Sequence, residues 1–283
     1  MAGTGIRTRF APSPTGPLHL GHAYAAAVAH HLARAAGGEF LLRIEDIDHS
    51  RARRAWEDAI YDDLNWLGLH WDGAVMRQSD RAPAYRAALQ QLWDKGLLYP
   101  CTCNRRDIEA AASAPQEGVP HFGPDGLIYP GTCRHKPRPA AMPMDLPLRL
   151  DMERAAIATC FVEQDRHVYT SVQDYITGVG DIILSRRGMG TSYHLSVVVD
   201  DAEQEITLVT RGADLFDATA IHVLLQHLLD LPTPAYHHHD LIRDESGKRL
   251  AKRDDARAIA AYRAEGATPA QVFAMIGITP SAA

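Results

Sequence analysis

The segment Pro17-Leu18-His19-Leu20-Gly21-His22 puts two imidazoles three residues apart around a glycine, where a strand-like stretch gives way to an Ala-rich one. Glycine lets a backbone approach a ligand closely. The start of a helix offers unpaired N–H groups and the positive end of its dipole. Imidazole N–H groups add further donors for phosphate oxygens. Such a set suits a polyphosphate whose charge grows during transfer. A second segment, Asp244-Glu245-Ser246-Gly247-Lys248-Arg249-Leu250-Ala251-Lys252-Arg253, is a glycine-containing loop rich in cations. Taken alone, the first reads as a pair of surface histidines and the second as a solvated charged loop.

Three of the four cysteines form a second constellation: Cys101-Thr102-Cys103, then Cys133. The N-terminus has no apolar leader of the secretory type, so reduced thiols in the cytoplasm are expected. Clustered thiols then point to a structural Zn²⁺ lacking one ligand. His121, Tyr129 and His135 are candidates for the fourth position, and chemistry alone prefers imidazole to phenolate. Cys160 stands apart and reads as a small, half-buried residue. Tyr236-His237-His238-His239-Asp240 invites a metal reading, but three consecutive imidazoles cannot face one side of a strand or helix. They read as structural, or as lining near the nucleotide.

The elements that must carry these residues follow from pattern. Thr8–Ala11 reads as a strand, residues 12–17 as a turn-rich loop, 21–36 as an Ala-rich helix stopped by Gly37-Gly38, and Phe40–Ile44 as a buried strand. That is a βαβ unit with a parallel pair. Helices are expected over 52–67, 82–95 and 218–229, and in the tail from Ala256. Strand-like stretches recur at 148–150, 181–185 and 195–199. Residues 115–147 hold eight of the 17 prolines and read as an irregular insertion. The chain has 283 residues, 46% of them hydrophobic and 23% charged, with a net charge of −6. This excludes collagen, coiled coil and a generic basic nucleic-acid coat. No stretch is long and apolar enough for a membrane span.

Together the motifs resemble class I glutamyl-tRNA synthetases. Arg9-Phe10-Ala11-Pro12-Ser13-Pro14-Thr15-Gly16 with His19-Leu20-Gly21-His22 resembles their first block, Arg43-Ile44-Glu45-Asp46-Ile47-Asp48 the next, and Arg249-Leu250-Ala251-Lys252-Arg253 their KMSKS loop. The order is the family's, although Arg249 and Ala251 depart from the loop's first Lys and its Ser. The resemblance implies an α/β fold with a Rossmann-type parallel sheet and ATP-dependent activation of L-glutamate, with Mg²⁺ accompanying ATP. It assigns His19, Gly21, His22 and Lys252 to ATP. Arg9, Phe10, Ala11, Pro12, Ser13, Glu45, Tyr193 and Arg211 go to glutamate. No covalent nucleophile is required.

A short branch of that family shares the spacing of Cys101, Cys103, Tyr129 and Cys133, which implies Tyr129 as the fourth ligand of one zinc per chain, with His135 as the alternative. Only 31 residues follow Lys252, too few for the anticodon-binding domain of discriminating synthetases. By resemblance the acceptor is then queuosine at the anticodon wobble position of tRNA(Asp). A minimal synthetase charging a tRNA 3′ end and an inactive glutamate- or tRNA-binding module are the rivals. The expected layout is a first Rossmann half over 1–98, a zinc-containing insertion and acceptor-like domain over 99–190, a second half over 191–235, and the loop with a short helical region over 236–283. A cytoplasmic monomer is expected. Arg51/Arg53/Arg54, Arg105/Arg106, Arg134/Lys136/Arg138 and Arg186/Arg187 are candidate phosphate contacts.

Overall fold

The computed structural model describes residues 5–104, 106–108, 122–242 and 257–278. The chain divides into two compact units. One comprises residues 1–79, 205–216 and 234–283, the other 80–204 and 217–233.

In the first unit, β1 (Arg7–Phe10) and β2 (Glu39–Ile44) pair in parallel, with Arg7 opposite Glu39 and Phe10 opposite Leu42. The crossover between them is α1 (Leu20–Ala35). Its buried face is Ala23, Ala26, Ala27, Ala29 and Ala33, small enough for the Thr8 hydroxyl to reach the Ala29 carbonyl at 2.8 Å. Gly37, at φ +64°, lets the chain reverse, and the Gly38 N–H closes on the Ala33 carbonyl at 2.8 Å. A Cβ at Gly38 would lie 1.8 Å from the Ile6 carbonyl oxygen, so only glycine fits there. α2 (Arg54–Leu67) packs Ile60, Leu64 and Leu67 into the core, and β3 (Met76–Arg77) extends the sheet beside β2.

The second unit starts with α3 (Ala82–Asp94) and β4 (Leu98–Pro100). A small hairpin, β5 (Phe122–Gly123) and β6 (Gly126–Leu127), lies in the Pro-rich segment, whose other described residues are irregular as expected. β7 (Leu148–Leu150) is the centre of an antiparallel sheet, flanked by β4 and by β10 (Ile183–Ser185). Between them comes a hairpin of β8 (Thr159–Glu163) and β9 (Arg166–Thr170). Helices α4 (Tyr193–Glu203) and α5 (Thr219–Leu228) complete the unit.

Residues 195–199, expected as a strand, are helical within α4. The Ser192 hydroxyl caps this helix, accepting from the Leu195 N–H at 3.4 Å. The helix is buried from His194 to Val198 and again at Asp200 and Asp201. A run of valines in the buried stretch of this helix shows no amphipathic period, so it mimics a core strand.

The later segments return to the first unit. β11 (Leu208–Gly212) and β12 (Ala235–His239) pair in parallel, with Val209 opposite Tyr236 and Arg211 opposite His238. β11 follows directly from a contact with β1, where the Thr207 N–H donates to the Arg7 carbonyl at 3.0 Å. The expected helical tail is present as α6 (Ile259–Ala264) and α7 (Pro269–Met275), which add Ile259, Val272 and Phe273 to the core of Phe10, Phe40, Leu42 and Ile44. No helix among the described residues is long and apolar enough to cross a membrane.

Candidate functional site

The His19–His22 turn caps α1 in an unusual way. The His19 Nδ1 accepts from the Gly21 N–H at 3.1 Å, and the His22 Nδ1 accepts from the His19 N–H at 3.2 Å. Both rings thus use Nδ1 as acceptor, which places each imidazole proton on Nε2. The rings lie 3.8 Å apart between centroids. The result is two Nε2–H donors at a helix N-terminus, whose first turn carries no acidic residue. That combination favours an anion.

The cationic loop containing Lys252 lies outside the described residues, as does His121. The chain on either side of that loop is described. Before it, His239 packs edge-on against Tyr24 of α1, with centroids 5.1 Å apart. After it, Ala258 bridges to His19, and the Ile259 N–H donates to the Leu18 carbonyl at 2.9 Å. Both flanks are therefore held against the first turns of α1.

Beside this turn, the ends of β1, β2 and β11 carry the residues assigned to glutamate in this unit. Arg9 and Arg211 are each 7% exposed. Arg9 donates from Nη1 to the Thr210 carbonyl at 3.2 Å, which ties it to the residue preceding Arg211. Arg211 donates from Nε to the His238 Nε2 at 3.2 Å. Phe10 and Pro12 are buried, Ala11 is half-buried and Ser13 is exposed. The Glu45 N–H donates to the Pro12 carbonyl at 3.0 Å, which locks the end of β2 to the loop after β1. The Glu45 carboxylate is paired with buried Arg43 at 3.3 Å. Two buried guanidiniums and one carboxylate suit a ligand that carries both charges.

Tyr193 stands in the second unit, at the first position of α4. Its ring lies 5.5 Å from that of His194 and 5.6 Å from that of His222. His194 bridges His222 and Asp125, at 3.0 Å each.

Sequence reasoning missed His238. It sits in the histidine run read as structural or as lining near the nucleotide, and its register opposite Arg211 makes it that residue's acceptor. Neither the pairing nor the face of β12 is visible in a run of three imidazoles. Among the basic clusters, Arg51 pairs with Asp48 at 2.5 Å, Arg54 with Asp58 at 3.0 Å and Arg134 with Asp181 at 2.9 Å.

The cysteines meet in the second unit. The donor atoms of Cys101, Cys103 and Cys133 all lie within 4.8 Å of one another and can hold a metal ion. β4 delivers Cys101 and Cys103, and the Cys101 N–H donates to the Pro147 carbonyl at 2.9 Å. The turn Tyr129-Pro130-Gly131-Thr132-Cys133 delivers the rest, with Gly131 at φ +77°. The Tyr129 hydroxyl oxygen lies 3.3 Å from the Cys103 Sγ and 3.6 Å from the Cys101 Sγ, and the two sulfurs of Cys103 and Cys133 are 3.5 Å apart. Tetrahedral zinc with these ligands needs edges of about 3.8 Å between sulfurs and about 3.5 Å between sulfur and oxygen. The three distances lie within about 0.3 Å of those edges. His135 is exposed, and the described cluster does not include it. Burial opposes the Cys133 thiolate, but hydrogen bonds from Tyr129 and Thr102 outweigh it and bring the thiol down to about 6.

A parallel sheet with an HxGH turn at its first crossover and a thiol-bearing insertion defines a class I aminoacyl-tRNA synthetase core. The family model for tRNA synthetases class I (E and Q), catalytic domain, matches residues 5–282, and the chain belongs to that family. Within it, the chain falls among the glutamyl-Q tRNA(Asp) synthetases. It is 63% identical over 278 residues to the glutamyl-Q tRNA(Asp) synthetase of Rhodobacter capsulatus, covering 96% of this chain and 99% of that protein. A second protein of that name, from Geobacter sulfurreducens, is 42% identical over 90% of this chain and 78% of its own length. A crystal structure of a glutamate tRNA ligase from Elizabethkingia meningosepticum in complex with its amino acid superposes with a TM-score of 0.73 at 27% identity over 94% of this chain. This chain spans 59% of the length of that ligase.

Proposed function

We propose that this chain activates L-glutamate with ATP, forming glutamyl-adenylate and pyrophosphate, and then transfers glutamate to queuosine at the anticodon wobble position of tRNA(Asp). The observation that carries this reading is the similarity at 63% identity along 99% of a glutamyl-Q tRNA(Asp) synthetase. The geometry of the first unit agrees with the activation step. A glutamate α-carboxylate oxygen attacks the α-phosphorus of ATP in line, and the bridging oxygen leaves with pyrophosphate. The His19 and His22 Nε2–H groups stabilise the charge that builds on the phosphates. Lys252 adds a cation from the loop, and Mg²⁺ accompanies ATP as counter-charge. Arg9 and Arg211 take the side-chain carboxylate and Glu45 takes the α-ammonium. The resemblance gives Tyr193 to the same substrate.

Cys101, Cys103, Tyr129 and Cys133 hold a structural Zn²⁺. Its chemistry there is to tie the exit of β4 to the Tyr129–Cys133 turn.

Glutamate-dependent exchange of labelled pyrophosphate into ATP tests the activation step. Exchange with L-glutamate, and none with L-glutamine or L-aspartate, is expected. No exchange with glutamate, in the presence or absence of tRNA, would refute it.

A further inference from the structure

Arg149 stands at the middle of β7, opposite Tyr99 of β4, and is buried. Three contacts fix its guanidinium. Its central carbon lies 3.8 Å from the centroid of the Tyr129 ring. Its Nε–H points at the Cys101 Sγ, 3.4 Å away. Its Nη1–H donates to the Asp181 carbonyl at 2.8 Å. A buried cation is thus held against two of the four donor groups at once.

On the zinc reading proposed above, three thiolates and a phenolate outweigh the charge of Zn²⁺, so the filled centre is a dianion. Burying net charge is costly unless an opposite charge stands nearby. Lys136 reaches the Thr102 hydroxyl at 3.4 Å and also hydrogen-bonds the Cys133 sulfur, but it is exposed and screened by solvent. Arg149 is not. We infer that Arg149 is the outer cation of this metal centre, balancing its anionic donors and favouring an aromatic ligand at position 129 through the stacked guanidinium plane. The N–H···S contact draws charge from the Cys101 sulfur, and the stacked plane orients the Tyr129 ring. Lysine would keep the charge but lose both the plane and the fork.

The test uses the full chain as wild type, Arg149→Lys and Arg149→Met. Zinc content and the rate of zinc transfer to a chromogenic chelator are measured. The thiolate-to-metal absorption band is then recorded after Co²⁺ substitution. Wild type should carry one zinc. Arg149→Met should release it about ten- to a hundredfold faster, with Arg149→Lys between. The cobalt band should move in Arg149→Lys, a change that a merely structural role would not produce. If Arg149→Met fails to fold, Arg149→Lys alone decides. Release rates and a cobalt band that match wild type would overturn the inference and leave the zinc reading standing. Wild-type protein without zinc would overturn the zinc reading and this inference with it.

Discussion

The Nε–H of Arg211 donates to the Nε2 of His238 across the parallel β11–β12 pair, at 3.2 Å, and both side chains are buried. An acceptor at Nε2 puts the proton of His238 on Nδ1, so the ring is neutral in this arrangement. Phe216 holds it from one side, at 5.0 Å edge-on, and Tyr236 stacks near-parallel at 6.1 Å. His238 therefore fixes the orientation of the Arg211 guanidinium.

Replacing His238 should accordingly act on glutamate binding. His238→Ala is expected to raise the KM for glutamate about tenfold in pyrophosphate exchange with a smaller change in kcat, since it removes an orienting hydrogen bond to a charged group. His238→Gln returns an acceptor near the Nε2 position and should recover most of the loss. Equal damage by both substitutions would contradict the orienting role.

At the start of α1, His19 has two tasks that a single substitution separates. Asparagine is a good N-cap and can accept from the Gly21 N–H, but it brings no donor to where Nε2 stands. His19→Asn should leave the melting temperature within a few degrees and lower the exchange kcat about 10²- to 10³-fold, the usual cost of losing one transition-state donor. Thermal unfolding and exchange on the same preparation check both halves. A variant with undiminished exchange would remove His19 from the phosphate site.

Much of this was legible in the sequence. Ala-rich composition, Gly37-Gly38 and the flanking turn define β1–α1–β2, because each is a local signal. The candidate metal donors Cys101, Cys103 and Cys133 are legible from residue type and grouping. The β8–β9 hairpin is not. It turns on Gln164 and Asp165, both at positive φ, where glycine or asparagine is the usual signal. The Arg211–His238 contact is not legible either, because it depends on strand register between residues 27 apart. α4 reads as a strand because its burial hides the helical period.

The metal centre yields a set of outcomes in one assay. Wild type should carry about one zinc per chain. Cys103→Ser, Cys133→Ser and Tyr129→Phe should each lose most of it, while Cys160→Ser and His135→Ala retain it. Cys160 belongs to the β8–β9 hairpin, where its Sγ lies 3.4 Å from the His167 Nδ1. Zinc lost from His135→Ala and kept in Tyr129→Phe would make the imidazole the fourth ligand instead.

His30 sets a pH dependence. Burial first, and then neighbouring Arg34, lowers its pKa from 6.5 to about 4. Its ring lies edge-on to Phe40 at 5.3 Å, and its Nδ1 is buried without a hydrogen-bond partner. Between about pH 4 and 6.5 the unfolded chain binds the proton and the folded chain does not, so stability falls as the pH drops through that window. The loss from this residue is on the order of 2 kcal/mol, given its partial exposure. His30→Leu should flatten that part of the stability–pH curve measured by urea unfolding. An unchanged slope would show that His30 does not contribute it.

The acceptor of glutamate distinguishes this enzyme from one that charges a tRNA 3′ end. Labelled glutamate and ATP are offered to bulk tRNA whose 3′-terminal adenosine has been removed, from cells that make queuosine and from cells that do not, with intact tRNA from both sources run in parallel. The expectation is label on the queuosine-containing pool alone, although no 3′ acceptor is present. Label confined to tRNA with an intact 3′ end would contradict it and define an enzyme that charges tRNA in the ordinary way.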